Sequence, residues 1–340
     1  HWVEHYNIDG FRFDLMGLID TETVLMAREN VASLPDKADI LFEGEGWKMY
    51  NGPEGTVGMD QDFMTSTDLV AVFNDEVRDL LKAGGFNEEG ERLLTGRATD
   101  LNQIYLNLIG QPQANYRADD PGDSMNYIAA HDGLTLHDTI SHNAGLDHTT
   151  DAGRAEIMAR ARLGNFLMVT GQPIVFLHAG QERLRSKPRL NATSEVIGNF
   201  VRNSYDSSDN INQIVWDADE YAQALIDYTT GLIAIRRSTE ALSLGTMDRV
   251  NAAASFIPND DEFTLSYSIT HEGNTYFLIA NASDTATSID LGADLSGATV
   301  LVDQDEASPE GVSDLNGVSL NGSSIEIDPL SAALIMVSGS

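Results

Sequence analysis

The chain has 340 residues, 42% of them hydrophobic, no cysteine and a formal net charge of −33. That is enough apolar material for one large domain with a smaller one, or for two or three modest domains. The missing cysteines exclude disulfides, thiolate nucleophiles and Cys-ligated metals.

No run of about 18 apolar residues occurs, which argues against a membrane-spanning helix. The negative charge repels nucleic acid and anionic membranes, so neither is expected as a partner. The acids are dispersed rather than blocked. They read as a solvated surface suited to salty surroundings rather than a seat for a cationic partner.

In chain order, short apolar runs alternate with helical patterns up to about residue 240. The runs "IDGFRFDLM", "ADILFEGEG", "STDLVAVFN", "SMNYIAAHD" and "QPIVFLHAG" predict strands. Helices are predicted over Thr21–Ser33, Glu76–Ala83, Ala155–Thr170 and Asp219–Ser238. Alternating strands and helices imply βα units and a parallel sheet, and five such units are too few to close an eight-stranded barrel. Beyond about residue 247 the segments "FTLSYSIT", "TYFLIANAS", "ATSIDL", "ATVLVD", "SSIEID" and "AALIMVS" are short, rich in Thr, Ile and Val, and divided by turn residues. They predict a small antiparallel sandwich. The expected organisation is an α/β domain over 1–244 and an all-β domain over 245–340.

"IDGFRFDLM" carries two charges inside a strand. With period two, Phe11, Phe13 and Leu15 share one face, and Gly10, Arg12 and Asp14 the other. An unpaired charge is expensive to bury, so Arg12 and Asp14 require partners or a hydrated strand end. Two further strands end in charged groups: Glu43 and Glu45, followed by Trp47, and then His131 and Asp132. Carboxylates from three strands, with an Arg and a His, suit glycoside chemistry, in which one acid attacks and another donates a proton. A metal-hydrolase site and a structural charge network remain alternatives. The spacing fits no specific metal motif, Arg12 opposes a cation, and no metal ligand is assigned.

"DGFRFDLMG", "FEGEGW" and "HDGLTLHD" resemble, in order, the second, third and fourth signature regions of the α-amylase superfamily of glycoside hydrolases. The wording is closest to type I pullulanases. "LVAVFNDEVRDLLK", "TGQPIVFLHAGQERLRSK" and "NSYDSSDNINQIVWD" are similar to pullulanase text as well. The resemblance implies a (β/α)8 barrel, of which this chain keeps about strands 4–8, followed by a small antiparallel β-sandwich. It also implies a retaining hydrolase of α-1,6-glucosidic branch linkages in pullulan, starch and limit dextrins, with an extracellular location favoured.

Carried over by position, Asp14 matches the nucleophile and Arg12 the arginine that orients it. Glu45 matches the general acid/base, with Glu43 as its rival on the same face. Asp132 matches the third, transition-state-stabilising carboxylate, and His131 its substrate-binding neighbour. Trp47, Tyr205, Asp209 and Asn212 are candidate sugar contacts, whereas His178 and Glu182 read as structural. An acid that holds its proton needs a raised pKa, and burial beside Trp47 is expected to supply it for Glu45. No cofactor is required for the chemistry, and a structural calcium is compatible with the family.

Two departures stand out. The first signature region, an Asp with an Asn-His pair on strand three, has no match, so the chain is expected to lack the first three strands. Gly133 stands where many pullulanases have Asn, which makes isoamylase-like debranching enzymes the nearest alternative. An inactive segment that only binds α-glucan is the other.

Overall fold

The computed structural model describes residues 1–190 and 195–339. Helix α1 (Trp2–Tyr6) precedes β1 (Gly10–Phe13), α2 (Thr21–Ala32), β2 (Leu41–Gly44), β3 (Ala71–Asn74), α3 (Asp75–Leu81) and α4 (Leu101–Leu108). Then come β4 (Ser124–Asn126), α5 (Leu136–Asn143), α6 (Asp151–Thr170) and β5 (Ile174–Val175). A two-stranded ribbon of β6 (Val196–Ile197) and β7 (Phe200–Val201) leads to α7 (Asp209–Asn212), α8 (Glu220–Ser238) and α9 (Met247–Ala253).

Strands β1 to β5 form one parallel sheet in chain order. All five segments predicted from the sequence are therefore present, but each contributes only two to four residues to the sheet. β1 stops at Phe13 because Leu15 turns left-handed, with φ of 48°. Phe11 and Phe13 pack against Phe42 at 5.3 Å between ring centroids. Leu15 does not follow them: it is 40% exposed. Period two fails there because the strand has already ended.

The helices start where side chains satisfy their free N–H groups. Asp20 caps α2 through Thr23 N–H, and Thr150 caps α6 through Gly153 N–H. The second cap explains why α6 begins before Ala155. Helix α4, capped by Asp100, has no counterpart among the sequence-predicted elements.

The C-terminal part holds β8 (Ala254–Phe256), β9 (Thr264–His271), β10 (Asn274–Asn281), β11 (Thr287–Asp290), β12 (Thr299–Val302), β13 (Val318–Asn321), β14 (Ser324–Ile327) and β15 (Ser331–Ser338). One sheet has the order β12-β15-β10-β9-β8 and the other β11-β14-β13. The β9–β10 hairpin turns through Glu272 and Gly273, both left-handed, as a tight two-residue turn requires.

Strand β10 is apolar on both faces, and each face has its own partner. Phe277 and Ile279 pack with Ile289, Val318, Ile325 and Ile327 of the smaller sheet. Tyr276, Leu278 and Ala280 join Phe166, Leu232 and other residues of the helical layer in the main core. The larger β-sheet is thus a middle layer, bonded to the α/β part through a common core. Among the described residues, no helix is long and apolar enough to cross a membrane.

Candidate active site

The first two carboxylates come from neighbouring strand ends. Arg12 and Glu43 are register partners across β1 and β2, so Asp14 and Glu45 leave the sheet side by side. Arg12 joins them: Nη1 donates to Asp14 Oδ1 at 2.6 Å, and Nη2 donates to Glu45 Oε1 at 2.7 Å. Glu45 Oε2 accepts the Leu15 N–H at 2.8 Å. The left-handed turn at Leu15 is what aims that N–H back at β2. Charge-assisted bonds from a planar guanidinium fix both distance and direction, which a lysine could not do. Arg12 itself lies against the Phe73 ring, 5.5 Å from its centroid.

His131 completes the group, with Nε2 at 3.5 Å from both Asp14 Oδ1 and Asp132 Oδ1. Asp132 does not sit at a strand end. β4 stops at Asn126, and the segment 127–135 carries His131 and Asp132 to the site. One ligand atom from each of Asp14, Glu45 and His131 lies within 4.8 Å of the others. A cation there would compete with Arg12, which already bonds both carboxylates.

A second acidic group, Asp68, Asp119 and Asp123, has the same spacing limit of 4.8 Å. Burial first, and then the charge of Asp119, pushes the Asp123 carboxyl up to about 8. These three are the residues that could hold a structural calcium, with which the family resemblance is compatible.

Glu43 and Glu45 behave differently. Glu43 is buried, its Oε2 has no hydrogen-bond partner, and burial pushes its carboxyl up to about 7 against the opposing pull of Arg12. The charge of Glu45 adds to that rise. Glu43, the rival on the same face, thus carries a raised pKa. Glu45, in turn, is the one bonded to the arginine that holds Asp14.

A cavity of about 640 Å³ opens beside these groups, lined by Glu45, Trp47, Phe73, Tyr127, Asp132 and Arg202 among others. Trp47 is partly buried against Phe73 and Tyr127. Phe86, which sequence reasoning did not single out, also lines the cavity and is fully exposed. Its only sequence signal is an apolar ring inside the polar run "GGFNEEGE".

The loop after β7 contributes Arg202 and Asn203 to the lining, but Tyr205, Asp209 and Asn212 are not part of it. Asn212 is spent within its own loop: Nδ2 donates to the Ser204 and Ser207 carbonyls, and Oδ1 accepts from Ser204 Oγ. Tyr205 is 84% exposed, and Asp209 opens the short helix α7. His178 is buried, its pKa pushed down to about 3 by burial first and then by the Arg185 charge. Its Nε2 lies 3.3 Å from Arg185 Nη1. Glu182 accepts from Gly180 N–H and Arg183. Both have a structural setting.

Known proteins share this framework over its whole length. Pullulanase A of Streptococcus pneumoniae serotype 4 is 35% identical over 378 aligned residues, covering 99% of this chain. The chain is homologous to the pullulanases. It spans 29% of that relative's length. The family described as SpuA C-terminal matches residues 257–338, in the antiparallel part.

The solved catalytic module of the glycogen-degrading pneumococcal virulence factor SpuA, in complex with an inhibitor, superposes with a TM-score of 0.92 at 35% identity. The match covers 100% of this chain and 53% of that one. A Group B Streptococcus pullulanase solved with maltotetraose gives 0.92 at 34% identity, covering 99% of this chain and 48% of the other.

Proposed function

We propose that this pullulanase homologue carries the catalytic carboxylates of a retaining hydrolase that cleaves α-1,6 branch linkages in pullulan, starch and limit dextrins. In this reading β1 to β5 are strands 4–8 of a (β/α)8 barrel, whose active-site face is the C-terminal one. The observation that carries it is the single guanidinium bridging Asp14 and Glu45, with their oxygens within 4.8 Å. A retaining mechanism needs the two carboxyls only about 5–5.5 Å apart, because one must bond the sugar that the other has just protonated.

Asp14 attacks the anomeric carbon while Glu45 gives a proton to the leaving oxygen, and a glycosyl ester on Asp14 results. Glu45 then takes a proton from water as that water opens the ester, which restores both groups. Asp132 and His131 bind sugar hydroxyls as positive charge develops on the ring. Trp47 and the exposed Phe86 offer apolar faces to glucose rings in the adjoining cavity. Tyr205, Asp209 and Asn212 would act farther out, with Asn212 shaping the loop.

The maltotetraose bound by the streptococcal relative supports an α-glucan ligand. The relative SpuA, a pneumococcal virulence factor, agrees with an extracellular location. Gly133 does not argue for an isoamylase-like enzyme. Its φ of 80° and the Glu88 carboxylate, which would stand 2.5 Å from an added Cβ, already require glycine there. The test is to incubate the full-length protein with pullulan and follow maltotriose release, reading the anomer first formed by NMR. Release of the α-anomer supports the reading, whereas the β-anomer or no release contradicts it.

A further inference from the structure

We infer that Glu88 and Lys187 are positioning residues that hold the segment bearing Asp132; the inference rests on the reading of Asp132 as the third carboxylate. The two residues come from different loops, one after α3 and one after β5, and both are buried. They converge on one peptide group, Gly133–Leu134, one residue beyond Asp132. Lys187 Nζ donates to the Gly133 carbonyl and, at 2.7 Å, to the Arg202 carbonyl. Glu88 Oε2 accepts the Leu134 N–H at 2.9 Å. Lys82, also buried, bonds Glu88 Oε1 at 2.9 Å and lies 3.4 Å from the Leu134 carbonyl. Arg202 Nε approaches Glu88 Oε2 at 3.2 Å without hydrogen-bond alignment.

Packing alone does not account for this arrangement. Buried ions cost desolvation energy, and apolar replacements of similar volume are often as stable or more so. What ions add is short, directional, charge-assisted bonds to the backbone. Here both bonds fall on the single Gly133–Leu134 peptide unit, one residue beyond Asp132. Asp132 itself is exposed, and beyond the end of β4 the chain has no ladder to fix it. Gly133 belongs to the same device. With φ of 80° it turns the chain, and its missing side chain leaves the space filled by the Glu88 carboxylate. A lysine on the carbonyl and a glutamate on the N–H of the same peptide unit leave that unit little freedom to rotate.

The test uses Lys187→Met and Glu88→Gln, read in two ways. Hydrogen exchange followed by mass spectrometry, on this chain, should show residues 131–135 exchanging at least about tenfold faster in both variants, with α6 unchanged. In the full-length protein, kcat on pullulan should fall about 10²-fold for Lys187→Met, with KM nearly unchanged, because a misplaced group costs rate rather than binding. If Lys187→Met does not fold, Glu88→Gln carries both measurements, with a smaller expected loss. Unchanged exchange at 131–135 together with a wild-type kcat overturns the inference, even if the melting temperature drops. A loosened segment in a protein whose wild type hydrolyses no glucan overturns the hydrolase reading and leaves the positioning in place.

Discussion

Asp14 and Glu45 are held by one guanidinium: Arg12 spans them with bonds of 2.6 and 2.7 Å from its two terminal nitrogens. Removing the fork therefore disturbs both carboxylates at once. Arg12→Lys keeps the charge but can satisfy only one partner in this geometry. We predict a fall in kcat on pullulan of about 10²–10³-fold in the full-length protein, with KM changed little. Steady-state kinetics check it, and a loss confined to KM would contradict it.

Stability should fall as pH rises from about 4 to 8. Glu43 and Asp123 have folded-state pKa values raised to about 7 and about 8. The folded protein therefore binds more protons than the unfolded chain across that window, and it loses stability as the window is crossed upward. Glu43→Gln and Asp123→Asn should each flatten the dependence and raise the melting temperature at pH 8 relative to pH 5. Thermal melts in calcium-free buffer at both pH values provide the measurement.

Added salt should stabilise the chain. With a net charge of −33, self-repulsion works against the compact state. Raising ionic strength from about 0.1 to 1 M shortens the screening length from about 10 to 3 Å. The melting temperature should rise by several degrees in NaCl, and a flat response would assign the acids no such role.

Gly231 on α8 tests whether the β-sheets are bonded to the helical layer. An added Cβ would stand 1.9 Å from the Ala307 carbonyl oxygen. Alanine improves helix propensity by about 1 kcal/mol, but overpacking against backbone costs about 1–3 kcal/mol. We predict that Gly231→Ala lowers stability by about 1–2 kcal/mol on balance. A chemical-denaturation curve measures it, and a stabilised variant would mean that the two parts separate easily.

The five parallel strands were legible because apolar runs, helices and turn residues alternate, and the charged pairs stood out against those runs. Arg12, Asp14 and Glu45 could be read as a group for that reason. What was not legible depends on partners distant in the chain. Leu15 reads as a core residue until its left-handed backbone is seen. Asp132 reads as a strand end, although the strand stops at Asn126 and a buried ion network continues the work. Gly133 reads as a family variation, whereas Glu88 gives it a steric cause. Phe86 carries no periodic signal, since its surroundings are a loop. The raised pKa of Glu43 follows from its burial, which spacing alone cannot show.

The most direct test of the account is the pullulan turnover of Asp14→Asn, in the full-length protein, against wild type. The variant keeps shape and an acceptor for Arg12 but loses the nucleophilic charge. The account predicts a loss of at least about 10³-fold in kcat with the fold and maltotetraose binding intact. Turnover within tenfold of wild type would contradict it.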